Sequence, residues 1–289
     1  RGAKLGCGWA ALRNIRARGT AFTSLCALAV SARLATVAPM RIELINTGSE
    51  LMLGRVLNTH QQWLCRQLAD HGHVVHRQVA VDDSAPAILQ AVRDSLAVAD
   101  LVITTGGLGP TNDDRTRDLI AQLLNRTLTE DAAVWHWIEE LMGKRGRPML
   151  PRMRLQALVP AGARVLPNAH GTAPGLVLNI APNPFRPDGR PSLLAMLPGP
   201  PRELHPMFEQ QLMPIIQQEF PLESDFVCRT LRTAGLGESQ IEARIDEPLQ
   251  ALATAGLDIA YCAQVGEVDV RLTAGGPDAR QQVQDAEAI

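Results

Sequence analysis

VITTGGLGPTNDD, residues 102 to 114, decides the fold class. Taken with Leu101, its first half reads LVITT, a short continuous apolar run of the kind found in a strand covered on both faces. Gly106, Gly107, Gly109 and Pro110 follow at once, so the chain must turn, and the stretch 114–125 then reads as a helix. Strand, glycine-rich loop and helix together are the unit of a mostly parallel α/β sheet, in which loop amides and the helix dipole receive an anion. Yet Asp113 and Asp114 stand at the same turn, where they would repel a phosphate.

The pattern upstream agrees with this unit. RIELIN (41–46) reads as a strand, and residues 55–71 as a helix with an apolar stripe of Val56, Leu57, Trp63, Leu64 and Leu68, stopped by Gly72. VVHRQVAV (74–81) reads as a second strand, and Ser84 caps a helix through Leu96. The alternation implies right-handed crossovers.

Downstream, 114–125, 130–143 and 147–158 read as helices, and 164–167, 175–180 and 193–197 as short strands. The last two are joined by APNPFRPDGRP, whose four prolines rule out a central strand and indicate a surface hairpin connection. A helix begins near Arg202, shortened or kinked by Pro206 and Pro214. A boundary is expected at 221–224. Strand (226–234), helix (238–255), two strands (257–264 and 267–274) and the start of another helix follow, a small α+β module whose ending inside a helical pattern suggests truncation.

The 289 residues are 46% hydrophobic, enough to fill the core of one large domain plus a smaller one. Outside the first forty residues no apolar stretch approaches the roughly 20 residues needed to span a bilayer. Residues 1–40 hold six basic residues and no acidic one, leaving 22 basic against 30 acidic residues elsewhere, a net of −8. An acidic body disfavours nonspecific nucleic-acid binding. An Arg-rich leader fits a targeting peptide, but Met40 directly precedes the first clean strand, and the expectation is a native start there, with 1–39 as non-native or disordered leader. Five scattered cysteines without a Cys-x-x-Cys pair suggest neither a disulfide framework nor a zinc site, and suit a reducing cytoplasm.

GGLGPTN lacks the third glycine of a dinucleotide fingerprint, and no Gly-Lys-Ser/Thr marks a P-loop. Two readings of the carboxylates stay open. In one, Thr111 through Asp114 form a capping box, with Asp113 on the helix dipole and Asp82-Asp83 a solvated turn. In the other, Asp82 and Asp114 converge on the edge where parallel strands end, and together hold a hard divalent cation that bridges phosphate oxygens. GTAPG (171–175) and LPGPPREL (197–204) are two further Gly/Pro loops suited to close approach by a ligand. His73 and His76 would face opposite sides of a strand, which argues against a histidine metal site. There is no Ser-His-Asp or Cys-His arrangement.

NTGSELMLGRVLNTHQQWL, TTGGLGPTNDD, GTAPGL and LPGPPREL, in this order and spacing, resemble the N-terminal domain of the CinA competence/damage-inducible proteins, within the molybdopterin-binding superfamily that includes MogA and MoaB. The resemblance covers Met40 to about Phe220 (domain limits 40–222), and the 223–289 module, with GEVDVRLTA, resembles the CinA middle domain. It implies a three-layer α/β/α fold with a mostly parallel sheet, a homodimer, and a metal-dependent ADP-ribose pyrophosphatase releasing AMP and ribose 5-phosphate. Asp114 and Asp82 match functional aspartates of the related adenylyltransferases. They are the expected metal ligands, for Mg, Mn or Co, and the expected catalytic residues, with Asp113 beside them. Glu50, Asn58, Gly106, Gly107, Gly109, Gly171, Thr172, Pro198, Gly199 and Pro200 are the expected substrate-binding residues, for a nucleotide-type small molecule. Two rival readings are a molybdopterin- or nucleotide-binding protein of the MogA/MoaB type and a non-enzymatic competence-linked binding protein. No sequence of a deamidase domain is present to support that further activity.

Overall fold

A computed structural model describes residues 40–289; the expectations for the leader lie outside the described residues. The first sheet has the order β2-β1-β3-β8-β7-β6. It contains β1 (Ile42–Thr47), β2 (Val75–Val81), β3 (Leu101–Thr105), β6 (Arg164–Leu166), β7 (Gly175–Ile180) and β8 (Ser192–Leu197). β2, β1, β3 and β8 pair in parallel, while β7 runs antiparallel to both its neighbours. The β7–β8 pair is the hairpin that the proline-rich 181–191 segment indicates.

The central strands are buried on both faces, which is why they read as unbroken apolar runs rather than alternating ones. Successive side chains go to opposite cores. Ile45, Val102, Leu194 and Met196 pack under α3 (Ala85–Leu96), α4 (Thr116–Leu123) and α5 (Ala132–Lys144). Leu44, Ile103, Ala195 and Leu197 pack under α2 (Thr59–Asp70) and the helices after β8, α6 (Pro201–Met207) and α7 (Met213–Glu219). Leu64 and Leu68 of α2 are fully buried, each contributing roughly 1.5–3 kcal/mol by apolar transfer. Trp63 of the same helix stacks on His205 of α6, ring centroids 3.8 Å apart. The result is the three-layer α/β/α arrangement that the family resemblance implies.

Several local expectations change. Residues 147–158 do not form an α-helix: Pro148 and Pro151 remove backbone donors, and a 3₁₀ segment spans Pro151–Ala157 instead. Two three-residue strands without a sequence signal, β4 (Leu128–Glu130) and β5 (Leu158–Pro160), pair around α5. Pro206 and Pro214 flank an irregularity, as the sequence indicates: a π-helical turn at Phe208–Leu212 separates a short α6 from α7.

After α7, β9 (Phe226–Ala234), α8 (Glu238–Thr254), β10 (Asp258–Gln264), β11 (Glu267–Gly275) and α9 (Ala279–Ala288) form an antiparallel sheet of order β10-β11-β9. Val268, Val270, Leu272 and Ala274 share one face of β11 and pack with Ile241, Leu249 and Val283. Among the described residues no helix is long and apolar enough to cross a membrane.

Candidate functional site

β1 and β3 lie side by side, and the chain leaves them toward opposite layers: β1 leads into α2 on one face of the sheet, and β3 into α4 on the other. Such a switch point opens a crevice beyond the carboxyl ends of the strands. Three loops meet there, after β1, β3 and β8. The Gly106 amide donates to the Leu197 carbonyl at 3.0 Å, and the Gly48 amide to Val81 at 3.0 Å. The Thr47 hydroxyl donates to the Thr105 carbonyl at 3.2 Å.

Glycine is required at the β3 turn. Gly106 and Gly107 adopt φ of +94° and +68°, which side chains disfavour. A Cβ at Gly106 would lie 2.7 Å from the Thr47 carbonyl oxygen, and one at Gly107 2.9 Å from Cβ of Thr116. Backbone therefore forms the floor of a cavity of about 630 Å³, a size that suits a small-molecule ligand.

The cavity has a charged side and an apolar wall. Glu50, Asp83, Asp113, Asp114 and Glu203 line it, against Arg145, Arg147 and Arg202. With five carboxylates to three guanidinium groups, a bare phosphate gains only where the arginines and loop amides outweigh the acids. The wall comes from the end of α5 and the 3₁₀ segment, with Met142, Leu150 and Met153, and it carries Gln156.

The fourth side is organised by Asn168, 2% exposed. Its Nδ2 donates to the Ala173 carbonyl at 2.7 Å and to Oε2 of Glu203 at 2.8 Å. Its Oδ1 accepts from the amides of His170 and Gly171, at 3.0 and 2.9 Å. Arg145 adds a bond to the His170 carbonyl at 2.8 Å. One buried amide thus shapes the 168–173 loop and ties it to α6.

Residues 43–218 match the model of the probable molybdopterin-binding domain, and residues 228–288 that of the damage-inducible protein CinA KH domain. The crystal structure of the protein CinA from Thermoplasma acidophilum superposes with a TM-score of 0.52 at 32% identity, covering 62% of this chain and 99% of that one. The chain belongs to the CinA family. A CinA-like protein of Akkermansia muciniphila is 42% identical over 233 residues, 81% of this chain and 54% of that protein. The chain therefore spans about half the length of that CinA relative.

The CinA cavity gathers most of the residues singled out from the sequence: Glu50, Gly106, Gly107, Gly109, Asp113, Asp114, Gly171, Thr172, Pro198, Gly199 and Pro200 all line it. Two do not. Asn58 caps α2, its Oδ1 accepting from the Gln61 amide at 3.2 Å. Asp82 turns to α3, where hydrogen bonding from the hydroxyl and amide of Ser84 holds its carboxyl below the usual range; the amide lies 2.9 Å from Oδ1. The β2-end carboxylate in the cavity is its neighbour Asp83, whose Oδ2 accepts from both the amide and the hydroxyl of Ser49 at 2.8 Å.

Asp114 combines both readings of the sequence. It reaches back to the Thr111 amide at 2.9 Å, as in a capping box, and lines the cavity as well. The Thr111 hydroxyl also donates to Asp114 rather than capping a helix, and α4 starts only at Thr116. One oxygen of Asp114 and one of Asp83 are engaged in this way, and Asp82 is directed elsewhere. Among the described residues no group of three or more His, Cys, Asp or Glu is placed to hold a metal. Asp83, Gln156, Asn168, Glu203 and the three arginines were not expected as site residues from the sequence; of these Asp83 had a signal, in the Asp82-Asp83 pair, and Glu203 and Arg202 had one as part of LPGPPREL.

Proposed function

We propose that this CinA-family chain binds a phosphorylated planar heterocycle, a pterin or a nucleotide, in the cavity at the β1/β3 switch point. The observation that carries the reading is the pairing of a glycine backbone floor with an apolar wall of Met142, Leu150 and Met153. Loop amides suit phosphate oxygens, and the polarisable thioethers suit the face of a ring. The family's molybdopterin-binding domain supports the same class of ligand. Calorimetric titration with AMP, ADP-ribose and pterin tests it, comparing the wild type with Gly107→Ala. Binding of at least one ligand, lost in the variant, is expected; no binding by the folded wild type would overturn the reading.

A second reading, hydrolysis of ADP-ribose to AMP and ribose 5-phosphate, is favoured by Glu50, Asp83, Asp113 and Asp114, four of the five carboxylates on the same cavity. A divalent cation would have to draw part of its coordination from the ligand's own phosphates, as magnesium commonly does. AMP release with and without Mg²⁺, Mn²⁺ or Co²⁺, in wild type and Asp114→Ala, decides it. Turnover indifferent to both chelation and the substitution would sink it.

A further inference from the structure

We propose a second binding site, for a small phosphate monoester, in the cleft where α2 of the first domain meets the second sheet, on the face that α8 and α9 leave uncovered. A cavity of about 620 Å³ lies there, lined by Arg66, Ala69 and Val75 on one side and by Phe226, Arg271 and Thr273 on the other. Strand alternation sets the polar side. Val268, Val270, Leu272 and Ala274 pack in the core of the module, so Asp269, Arg271 and Thr273 take the opposite face of β11.

Arg271 stands half-buried on the central strand, between Thr230 of β9 and Ala260 of β10, neither of which carries a charge. Its Nε is shut off from solvent and has no hydrogen-bond partner in the protein. A guanidinium stays charged at any physiological pH, and a charge withdrawn from water is unfavourable unless an acceptor faces it.

The acids near by are otherwise engaged. Asp269 accepts from Arg232 at 2.8 Å and from Gln264 at 3.0 Å, and Asp70 faces the Cys228 thiol at 3.5 Å. Arg66 acts on Asp269 only through its field. Among the described residues Arg229 and Arg232 of the same sheet have carboxylate partners, whereas Arg66 and Arg271 form no ion pair. Asp258 is the single carboxylate on the lining, so two guanidinium groups face one acid.

This positive surplus is local, because residues 223–289 hold five arginines, no lysine and twelve carboxylates. A long polyanion meets that acidic surface, and the module has no Gly-x-x-Gly loop of the kind that clamps an RNA backbone. A compact phosphate meets the two guanidinium groups, whose N–H donors suit its oxygens. Ala69, Val75 and Phe226 then receive the ester group. Since Arg66 and Arg271 belong to different domains, the ligand bridges them.

Phenyl phosphate is the probe. Hydrogen–deuterium exchange on the full chain separates this cleft from the switch-point cavity, and protection at 226–230 and 269–275 is expected, with phenol giving none. Arg271→Met and Arg66→Met, which keep the apolar stems, should each weaken binding roughly tenfold, the scale of a charge-assisted hydrogen bond. Asp258→Asn, which removes the competing acid without touching either guanidinium, should strengthen it. No protection in the cleft, unchanged binding by either arginine variant, or weaker binding by Asp258→Asn would each overturn the proposal. Displacement of the probe by single-stranded RNA at a lower concentration would overturn it in favour of a nucleic-acid site.

Discussion

Ser49 delivers both its amide and its hydroxyl to Oδ2 of Asp83, and the Asp83 amide in turn donates to the Ser49 hydroxyl at 3.3 Å. Residues 34 apart in sequence are clasped, and the clasp sets the short helix α1 (Ser49–Met52), which carries Glu50, over the cavity mouth.

Asp83→Ala should therefore weaken ligand binding and lower stability by about 1 kcal/mol, the scale of a partly exposed charged hydrogen bond. Asp82→Ala, which touches only the start of α3, should leave ligand affinity unchanged. Urea denaturation and titration of both variants check this; an affinity loss confined to Asp82→Ala would reverse the assignment.

Gly107→Ala combines a disfavoured backbone angle with a collision against Thr116. It should cost about 1–3 kcal/mol, the scale of a strained residue in this region. Because the turn is also the cavity floor, the variant should bind ligand poorly even at temperatures where circular dichroism shows it folded.

Asn168→Ala removes four hydrogen bonds at once and leaves Glu203, 7% exposed, without its amide donor. Its expected cost is about 2–4 kcal/mol, since buried groups stay unsatisfied. The cavity loop should also become susceptible to proteolysis near His170, which limited digestion followed by mass spectrometry would reveal.

Stability should fall between about pH 9 and pH 11. Burial, reinforced by the Asp70 carboxylate, pushes the Cys228 thiol from 9.0 up to about 11. The unfolded chain thus releases its proton first, and the native state binds more protons throughout that window, so the slope is negative. Partial exposure limits the effect to under about 1 kcal/mol. Cys228→Ala should flatten this limb of a stability–pH curve; an unchanged slope would assign it to other groups.

Strands β1, β3, β7 and β8 were legible to within about a residue because burial on both faces leaves an apolar run that nothing else explains. β4 and β5 were not, since three residues such as Leu128-Thr129-Glu130 carry no period. In the site, Gly106 and Gly107 were legible because their backbone angles tolerate little else. Which of Asp82 and Asp83 faces the cavity was not, because it depends on Ser49 in another loop. Gln156 lay inside a stretch read as α-helix, and Asn168 acts through Glu203, 35 residues away; neither relation leaves a local pattern.

The parallel pairing of β3 with β8 joins Leu101 to Leu193 across two other strand pairs and two helices. Contacts of such sequence separation form slowly, because loop closure must precede them. The third loop of the cavity arrives with β8, so ligand-binding competence should emerge among the last events of refolding. A stopped-flow experiment that monitors ligand capture would then lag behind the recovery of helical signal, and the ligand would act as a clock for completion of the sheet.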